Sequence, residues 1–431
     1  MSDTIYQKLS IERKQLQREG LIPDWFITNG WQLFKEKYLY EAKGVNDTYR
    51  RIAATAVKHL PKKMQDEAYY NFTGLLINGW LALSTPVLSN MGTNKGMPVS
   101  CSGQYVGDSI DDFYMSAHEL AMLTKHGFGT SSYLGDIRPR GTSISVGGKS
   151  SGVLPVIKQY VNIMRDVAQG TSRRGAWAGY LPIDHGDFHE VVDYLEHYPD
   201  DLNLGWVVTQ EFIDKLQGGD EESHLRLQRA MKVKAVTGKG YYFFVDKVNA
   251  ANPECYKKLG LTVKASNLCI EITLPSDEDH TFTCVLSSMN LAKYDEWKDT
   301  DAVFWATIFL DCVASEFISL GKGKRGFEKA VRFTEKSRAL GLGALGFHTY
   351  LQQKSIPFES LDAHIENKLI FSDLKAKAVE ASKYLAELLG EPEWLKGTGL
   401  RNSHLLAVAP NTQSALICGG VSQGIEPVVA N

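Results

Sequence analysis

Short stretches with the alternating pattern of β-strands recur between longer amphipathic stretches along this chain. Apolar residues recur every three or four positions in residues 109–127, 152–170 and 301–321, which indicates helices. Residues 240–248 and 281–291 have the pattern and composition of strands. Strands that are joined through helices pair in parallel. The order of elements therefore predicts an α/β fold with a largely parallel sheet.

The first 84 residues differ from the rest because helical periodicity dominates them, notably in residues 48–60 and 66–83. With 43% apolar residues, the chain can bury a sizeable core. No internal repeat or long linker is visible. We therefore predict an N-terminal helical region over residues 1–84, followed by one large α/β domain over residues 85–431.

Charge and hydropathy exclude several classes of protein. The net charge of −3 gives no broad basic surface for nucleic acid. The most apolar window, residues 72–88, is broken by glycines and a proline and is shorter than the roughly 20 apolar residues that a membrane span needs. The charged N-terminus does not resemble a signal peptide. We expect a cytoplasmic protein with reduced thiols and without a membrane or nucleic-acid partner.

The six cysteines are spread over the chain and form no C-x-x-C pair, which argues against a structural metal site and against a disulfide framework. Cys255, Cys312 and Cys418 are interpreted as buried apolar residues. Cys101, Cys269 and Cys284 need a further explanation.

A glycine motif at Gly341–Gly346, "GLGALG", matches the dinucleotide-binding fingerprint. That fingerprint requires a preceding strand, whereas the preceding residues are charged and helical. We attribute these glycines to close helix packing, so dehydrogenase and nucleotide kinase functions are disfavoured.

The segment "SNLCIEITL" carries Asn267, Cys269 and Glu271 at alternate positions, which places all three on one side of an extended chain. A neighbouring carboxylate raises the pKa of a thiol, so this is a poor setting for a thiolate nucleophile. A protonated thiol beside a base can instead exist as a neutral sulfur radical while the carboxylate takes a proton from a substrate hydroxyl. The alternative is an accidental period-two pattern on a half-buried strand.

Four blocks in one order extend this observation: residues 83–112, 168–182, 266–297 and 407–427. They contain "LSTPVLSN", "AQGTSRRGAWAGYLP", "SNLCIEITLP" with "CVLSSMNLAKYDEW", and "AVAPNTQSALICGG". Together they resemble the catalytic subunit of ribonucleotide reductase. The resemblance implies a ten-stranded α/β barrel made of two parallel five-stranded halves. A finger loop in its centre carries the radical cysteine, so residues 267–271 would form that loop rather than a strand.

The resemblance also assigns the catalytic residues. Cys269 would hold a thiyl radical that takes hydrogen from C3′ of the ribose, and Glu271 would remove the 3′-hydroxyl proton. Asn267 would hydrogen-bond the substrate. Cys101 and Cys284 would be the reducing pair, which ends as a disulfide and is reduced again by a dithiol protein such as thioredoxin or glutaredoxin. Thiol–disulfide chemistry of this kind requires the two cysteines to lie close together.

Substrate binding is implied at two places. Asn411, Thr412 and Ser414 precede or begin a short helix, where free backbone N–H groups favour phosphate. Thr85 and Ser100 match residues that help to hold the nucleotide.

The resemblance implies an allosteric specificity site that binds a deoxynucleotide or ATP at the face of a homodimer. Asp108 and Ser109 would contact the effector, and Arg138 lies in the first specificity loop. Residues 169–179 match the second loop, in which Arg174 or the arginine before it would meet a nucleotide. A loop without a signalling role is the alternative.

Two departures from the family pattern lead to expectations. About 70 residues precede the first matching block and lack the signature of an ATP cone, so we expect no overall-activity site of that type. The sequence ends at Asn431, before the tyrosine pair and the cysteine-containing tail that many members carry. A shortened chain, a split gene and a minimal member are all compatible with this end.

The radical source stays open between two forms. We expect a metal-containing, ferritin-like partner subunit and no cofactor bound to this chain directly, because no cobalamin-binding extension is visible. The alternative is the adenosylcobalamin-dependent form; a glycyl-radical form is disfavoured. A non-catalytic nucleotide-binding regulator with the same fold is a rival, although all five catalytic positions are intact.

Overall fold

The computed structural model describes residues 4–99, 101–145, 147–167 and 175–428. The strands are β1 (Leu81–Leu83), β2 (Cys101–Tyr105), β3 (Gly129–Tyr133), β4 (Trp177–Pro182), β5 (Asn203–Val208), β6 (Tyr241–Phe244), β7 (Phe282–Asn290) and β8 (Leu340–Leu345). The helices are α1 (Ile5–Arg18), α2 (Thr28–Lys37), α3 (Val45–Ala56), α4 (Lys62–Ile77), α5 (Thr85–Asn90), α6 (Ile110–Lys125), α7 (Leu154–Asp166), α8 (Phe188–His197), α9 (Gln210–Gln217), α10 (Glu221–Thr237), α11 (Val245–Ala250), α12 (Glu254–Lys258), α13 (Tyr294–Trp297), α14 (Ala302–Gly321), α15 (Glu328–Ser337), α16 (Phe347–Gln353), α17 (Leu361–Leu389) and α18 (Thr412–Ile417).

The chain divides into two compact units. Unit 1 lies within Met1–Ser100, Cys284–Leu320 and Glu335–Asn431, and unit 2 within Cys101–Thr283 and Gly321–Thr334. Each unit has its own strands and its own packed helices.

Unit 2 is built on five parallel strands in the order β2-β3-β4-β5-β6. Alternate residues of each strand face opposite sides of this sheet. One side packs against helices α6 to α10 through a large apolar core that includes Tyr160, Phe188 and Trp206. Each such fully buried side chain contributes about 1.5–3 kcal/mol of hydrophobic stabilisation. We call this side the outer face.

The opposite, inner face of the same sheet carries small and polar residues among its tyrosines. Cys101, Gly103 and Tyr105 of β2 lie on it, in register with Ser131 and Tyr133 of β3. The register of β4 and β5 adds Tyr180 and Gly205 to the same face. Its apolar cluster also includes side chains from residues 263–270, which lie in no strand. This segment is therefore a loop, as the family resemblance implied, and the simpler prediction of a strand over residues 267–271 is wrong.

Unit 1 has a smaller sheet. Strand β1 pairs antiparallel with β7, and β7 pairs parallel with β8. The chain at residues 404–407 runs beside β8 and bonds to its backbone. A Cβ at Gly343 would lie 2.4 Å from the carbonyl oxygen of Ala407. Close approach of two backbones therefore explains Gly343. The motif lies in strand β8, so the helix packing that we expected from the sequence is wrong.

The long helix α14 packs inside unit 1. Among the described residues it is the one helix whose length and apolar composition would allow it to cross a membrane. Because 67% of its apolar window is buried within the protein, it has the character of a core helix.

A buried cluster of charges ties α14 to the end of α15 and to the chain after α17. Arg338 donates from Nε and a terminal nitrogen to the Asp311 carboxylate at 2.7 and 2.9 Å. Arg401 donates to the same carboxylate at 3.0 Å, and Asn402 donates to it at 2.9 Å. Burial acts to raise the pKa of Asp311, but the charges and hydrogen bonds of the two arginines lower it to about 2.

Several predicted elements agree with the structure. Residues 109–127 contain α6, and the Ser109 hydroxyl accepts the backbone N–H of Asp112 at 3.0 Å as its N-cap. Residues 281–291 contain β7. The strand predicted over residues 240–248 ends at Phe244, because the chain continues as α11. Residues 245–248, at the end of the predicted strand, therefore lie in α11.

Candidate active site

Asn267, Cys269 and Glu271 lie at the tip of the loop on the inner face of unit 2. We call residues 263–272 the finger loop. The loop turns at Leu268 and Cys269, and the backbone N–H of Ile270 donates to the carbonyl of Asn267 at 3.3 Å. Leu268 and Ile270 pack on the apolar cluster of the inner face. The sequence correctly separated the polar residues of this segment from the apolar ones, although the backbone is not a strand.

The turn at the tip is strained. Ile270 has a φ of +68°, a left-handed conformation that is unfavourable for a β-branched residue. Surrounding bonds hold this conformation. The Asn267 side-chain oxygen accepts the backbone N–H of Ile272 at 3.2 Å, and the Ser266 hydroxyl donates to the carbonyl of Ile272 at 2.6 Å. Backbone strain of this kind persists where the surroundings fix it, and it concentrates at functional sites.

Two polar atoms at the tip are buried without a partner among the described residues: Nδ2 of Asn267 and Oε2 of Glu271. One is a donor and the other is an acceptor. A buried polar group without a partner costs roughly 1–3 kcal/mol, so such atoms call for a ligand that completes them. Burial also raises the pKa of Glu271. A carboxylate in this setting is a stronger base than an exposed one.

The two predicted reducing cysteines are both buried. Cys101 begins β2 and faces the same side of the sheet as the finger loop, so unit 2 places Cys101 and Cys269 on one face. Cys284 lies in β7 and belongs to unit 1. The pairing of Cys101 with Cys284 stays a prediction.

Thr85, Asn411, Thr412 and Ser414 come together in unit 1 at the N-terminal ends of α5 and α18. The Ser414 hydroxyl donates to the carbonyl of Leu83, immediately before α5, at 2.9 Å. Asn411 accepts a hydrogen bond from Ser288 of β7 at 3.1 Å. Thr412 donates to Gln423 at 2.8 Å. The predicted substrate residues of this unit therefore form one corner.

Two further residues belong to this corner and were missed by sequence reasoning. The Tyr38 hydroxyl donates to the Gln413 side chain at 2.5 Å and lies 3.4 Å from the hydroxyl of Thr85. Ser84, before α5, has a buried hydroxyl without a partner among the described residues. Tyr38 lies in the helical N-terminal region, and only the fold brings it to residues 85 and 413.

The predicted effector residues also lie together. Arg138 donates from its backbone N–H and from Nε to the carboxylate of Asp108, at 3.1 and 2.5 Å. Ser109 caps α6 next to them. Asp108 and Arg138 are partly exposed, so a ligand could exchange with their ion pair. Their role as effector contacts stays a prediction.

Two predicted site residues, Ser100 and Arg174, lie outside the described residues. Within the described ranges, no group of three or more His, Cys, Asp or Glu side chains is arranged to hold a metal ion.

Comparisons with known proteins agree with the fold described above. The family described as "Ribonucleotide reductase, barrel domain" matches residues 99–226 and 223–398. The alpha subunit of class Id ribonucleotide reductase from Actinobacillus ureae superposes with a TM-score of 0.87 at 40% sequence identity, over 94% of this chain and 76% of that chain. These matches confirm the α/β barrel fold predicted from the sequence.

Two relatives illustrate the range of the family. A protein of Frog virus 3 (isolate Goorha) that carries the name of a ribonucleoside-diphosphate reductase large subunit is 35% identical, over 81% of this chain and 65% of its own length. The vitamin B12-dependent ribonucleoside-diphosphate reductase of Thermoplasma acidophilum is 31% identical, over 80% of this chain and 48% of its own length. The chain thus spans less than two thirds of these relatives. By its family match and its structural similarity, the chain belongs to the ribonucleotide reductase large-subunit family.

Proposed function

We propose that this protein reduces ribonucleoside di- or triphosphates to 2′-deoxyribonucleotides by thiyl-radical chemistry. The observation that carries the proposal is the tip of the finger loop. Along the chain, Cys269 is flanked there by Asn267 and Glu271, whose buried Nδ2 and Oε2 have no hydrogen-bond partner among the described residues. A ribose offers hydroxyl groups that complete both atoms.

In the proposed reaction, the Cys269 thiyl radical takes the hydrogen atom from C3′ of the ribose. Glu271 accepts the proton of the 3′-hydroxyl, which its buried position favours. Asn267 donates a hydrogen bond to the substrate. The 2′-hydroxyl then leaves more easily, because the adjacent C3′ carries a radical and the 3′-oxygen is deprotonated.

The cysteine pair completes the balance. One thiol of Cys101 and Cys284 protonates the 2′-hydroxyl, which leaves as water. The pair then supplies two electrons and the second proton, and it ends as a disulfide. Glu271 returns its proton to the 3′-oxygen, and Cys269 returns the hydrogen atom to C3′ and regains its radical. A dithiol protein such as thioredoxin or glutaredoxin would reduce the pair for the next turnover.

The corner at α5 and α18 is proposed to hold the substrate phosphates. Thr85 begins α5 and Thr412 begins α18, and Ser414 bonds to the carbonyl of Leu83 just before α5, so hydroxyl groups and the N-terminal ends of two helices belong to one corner, which suits an anion. Asp108, Ser109 and Arg138 are proposed to bind a deoxynucleotide or ATP effector at the face of a homodimer. Exposed apolar residues on the first turns of α6, such as Ile110 and Tyr114, support an interface there.

Two radical sources are compatible with this site. We favour a metal-containing, ferritin-like partner subunit, which the similarity to a class Id alpha subunit supports. The similarity to a vitamin B12-dependent reductase supports adenosylcobalamin as the second candidate. In either case the residues of this chain hold the substrate, move its protons and supply its electrons, and we place these reactions in the cytoplasm.

The test is an assay of dCDP and dCTP formation by the full-length protein with a dithiol reductant. A ferritin-like radical subunit and adenosylcobalamin are added in separate reactions. We expect one of them to support turnover, and Cys269→Ser to abolish it while ribonucleotide binding stays within about twofold. Turnover by Cys269→Ser, or loss of nucleotide binding in that variant, would contradict the assigned role.

The rival regulator makes a different prediction. It binds effector nucleotides without turnover under either condition. Nucleotide binding measured by calorimetry, with no deoxynucleotide formed by wild-type protein in any reaction, would favour the regulator.

A further inference from the structure

The finger loop is anchored by side chains rather than by strand pairing. Residues 263–267 are buried except for the half-exposed Lys264, yet they belong to no strand. A buried backbone needs hydrogen-bond partners, and in this segment other elements supply them. Asn249 of α11 donates from Nδ2 to the carbonyl of Val263 and accepts the N–H of Val263 at Oδ1, both at 2.8 Å.

Two residues of the inner face hold the end of this segment. The Ser131 hydroxyl donates to the carbonyl of Ser266 at 2.7 Å, and the Tyr180 hydroxyl donates to the carbonyl of Asn267 at 2.6 Å. The bond from Tyr180 is thus the last anchor before Cys269, because Cys269 follows Asn267 by two residues. Its parent strand β4 lies in the middle of the parallel sheet, so the anchor is fixed to a rigid element.

The surroundings of Tyr180 fit this single position. The ring is fully buried and meets the ring of Phe243 edge to face, with 5.9 Å between centroids. Gly205 of β5 leaves room for it, since a Cβ there would lie 2.3 Å from Cε1 of Tyr180. Burial raises the pKa of the Tyr180 phenol, so the hydroxyl keeps its proton and remains a donor.

Tyr180 bonds to the carbonyl of Asn267, and Asn267 also accepts the hydrogen bonds that close the turn. The same Asn267 carbonyl accepts the N–H of Ile270, and the Asn267 side chain accepts the N–H of Ile272. A shift of Asn267 therefore moves both sides of the turn that contains Cys269.

We propose that Tyr180 is a positioning residue for the sulfur of Cys269, with Gly205 providing the space for its ring. The proposal rests on the proposed radical function of Cys269. Tyr180 does not contact the substrate in this role; it acts through Asn267. Misplacement of a reacting group by about 1 Å costs on the order of a hundredfold in rate, so a loosened turn should lower kcat.

The experiment compares Tyr180→Phe with Tyr160→Phe in the full-length protein. Tyr160 is an equally buried tyrosine of unit 2 whose hydroxyl donates to the carbonyl of Phe113 at 3.0 Å, on the outer face of the sheet. Both variants lose one bond from a tyrosine to a carbonyl, but only one of those bonds reaches the finger loop. Three quantities are measured: hydrogen exchange in a peptide covering residues 263–272, kcat and KM for the ribonucleotide, and the thermal unfolding midpoint.

For Tyr180→Phe we expect faster exchange at the amides of Ile270 and Ile272, a kcat lowered about 10- to 100-fold, and a KM within about twofold. Tyr160→Phe should show a similar change in unfolding midpoint with unchanged loop exchange and kcat. Equal loop exchange in the two variants overturns the proposal. Faster exchange with wild-type kcat also overturns it.

The exchange measurement needs no radical source. If the wild-type protein makes no deoxynucleotide at all, the proposed function fails, whereas the anchoring of the loop is still decided by exchange. Gly205→Ala gives an independent check because it keeps the hydroxyl but displaces the ring. We expect the same rise in exchange at residues 270 and 272, and unchanged exchange in a folded Gly205→Ala protein would count against the role of Gly205.

Discussion

At the scale of single residues, the environment of Glu271 matters more than its identity. Burial raises the pKa of its carboxyl, although its own backbone N–H and the neighbouring Asn267 amide act in the opposite direction. A base must be ionised to act, so a raised pKa moves the loss of activity toward neutral pH. The sequence identifies the residue and its neighbours, but the burial that raises the pKa of Glu271 depends on the folded structure.

The pH dependence of turnover tests this point. We expect kcat/KM to fall as the pH drops through the pKa of Glu271, at a pH above the ordinary glutamate value of about 4.3. Glu271→Gln should lower kcat by about 10²- to 10⁴-fold and remove this acid limb from what activity remains. An unchanged acid limb in Glu271→Gln would assign the limb to another group.

At the scale of elements, local signals predicted some parts well and long-range contacts decided others. Helix α6 lies within the residues whose periodicity predicts it, and Ser109 caps it through a bond that acts within one turn. The prediction of a strand from alternation is wrong for the finger loop. Its backbone bonds to the side chains of residues 131, 180 and 249 instead of to a neighbouring strand. No local pattern carries that information.

The corner between α5 and α18 offers a prediction at this scale. Tyr38→Phe removes the hydroxyl that contacts both Gln413 of α18 and Thr85 of α5, so this link between the two helix ends is lost. We expect KM for the ribonucleotide to rise about 3- to 10-fold, which corresponds to about 0.7–1.4 kcal/mol for one hydrogen bond, with little change in kcat. Steady-state kinetics measure both.

The matched control is Tyr350→Phe, in which a hydroxyl of the same unit loses its 2.8 Å bond to Glu366. This control should leave KM unchanged. A KM for Tyr38→Phe equal to that of the control would remove Tyr38 from the substrate corner.

At the scale of the whole molecule, the charge cluster at Asp311 joins three separate segments of unit 1. The carboxylate is fully buried and bonded to two arginines, so its removal leaves buried positive charge without a counter-charge. We expect Asp311→Asn to destabilise the protein by about 3–5 kcal/mol, measured as a lowered thermal unfolding midpoint. Asp295→Asn, which breaks half-exposed bridges, should cost less than about 1 kcal/mol.

The same carboxylate predicts an acid response. Its pKa is lowered to about 2 in the folded protein and lies near 3.8 in the unfolded chain. A lowered pKa contributes stability that is present above pH 3.8 and is lost as the pH falls toward 2. Unfolding midpoints measured between these pH values should therefore fall less steeply in Asp311→Asn than in the wild type.

The anchors of the finger loop also decide which changes of length the chain can accept. A paired strand that slides by two residues keeps the same side chains on each face, whereas Asn249, Ser131 and Tyr180 each bond to one particular backbone group. A deletion or insertion between residues 263 and 272 would leave at least one of these side chains without its backbone partner. Natural variants of this chain should therefore conserve the exact length of that segment, while the exposed bend at residues 278 and 279 should tolerate insertions and deletions.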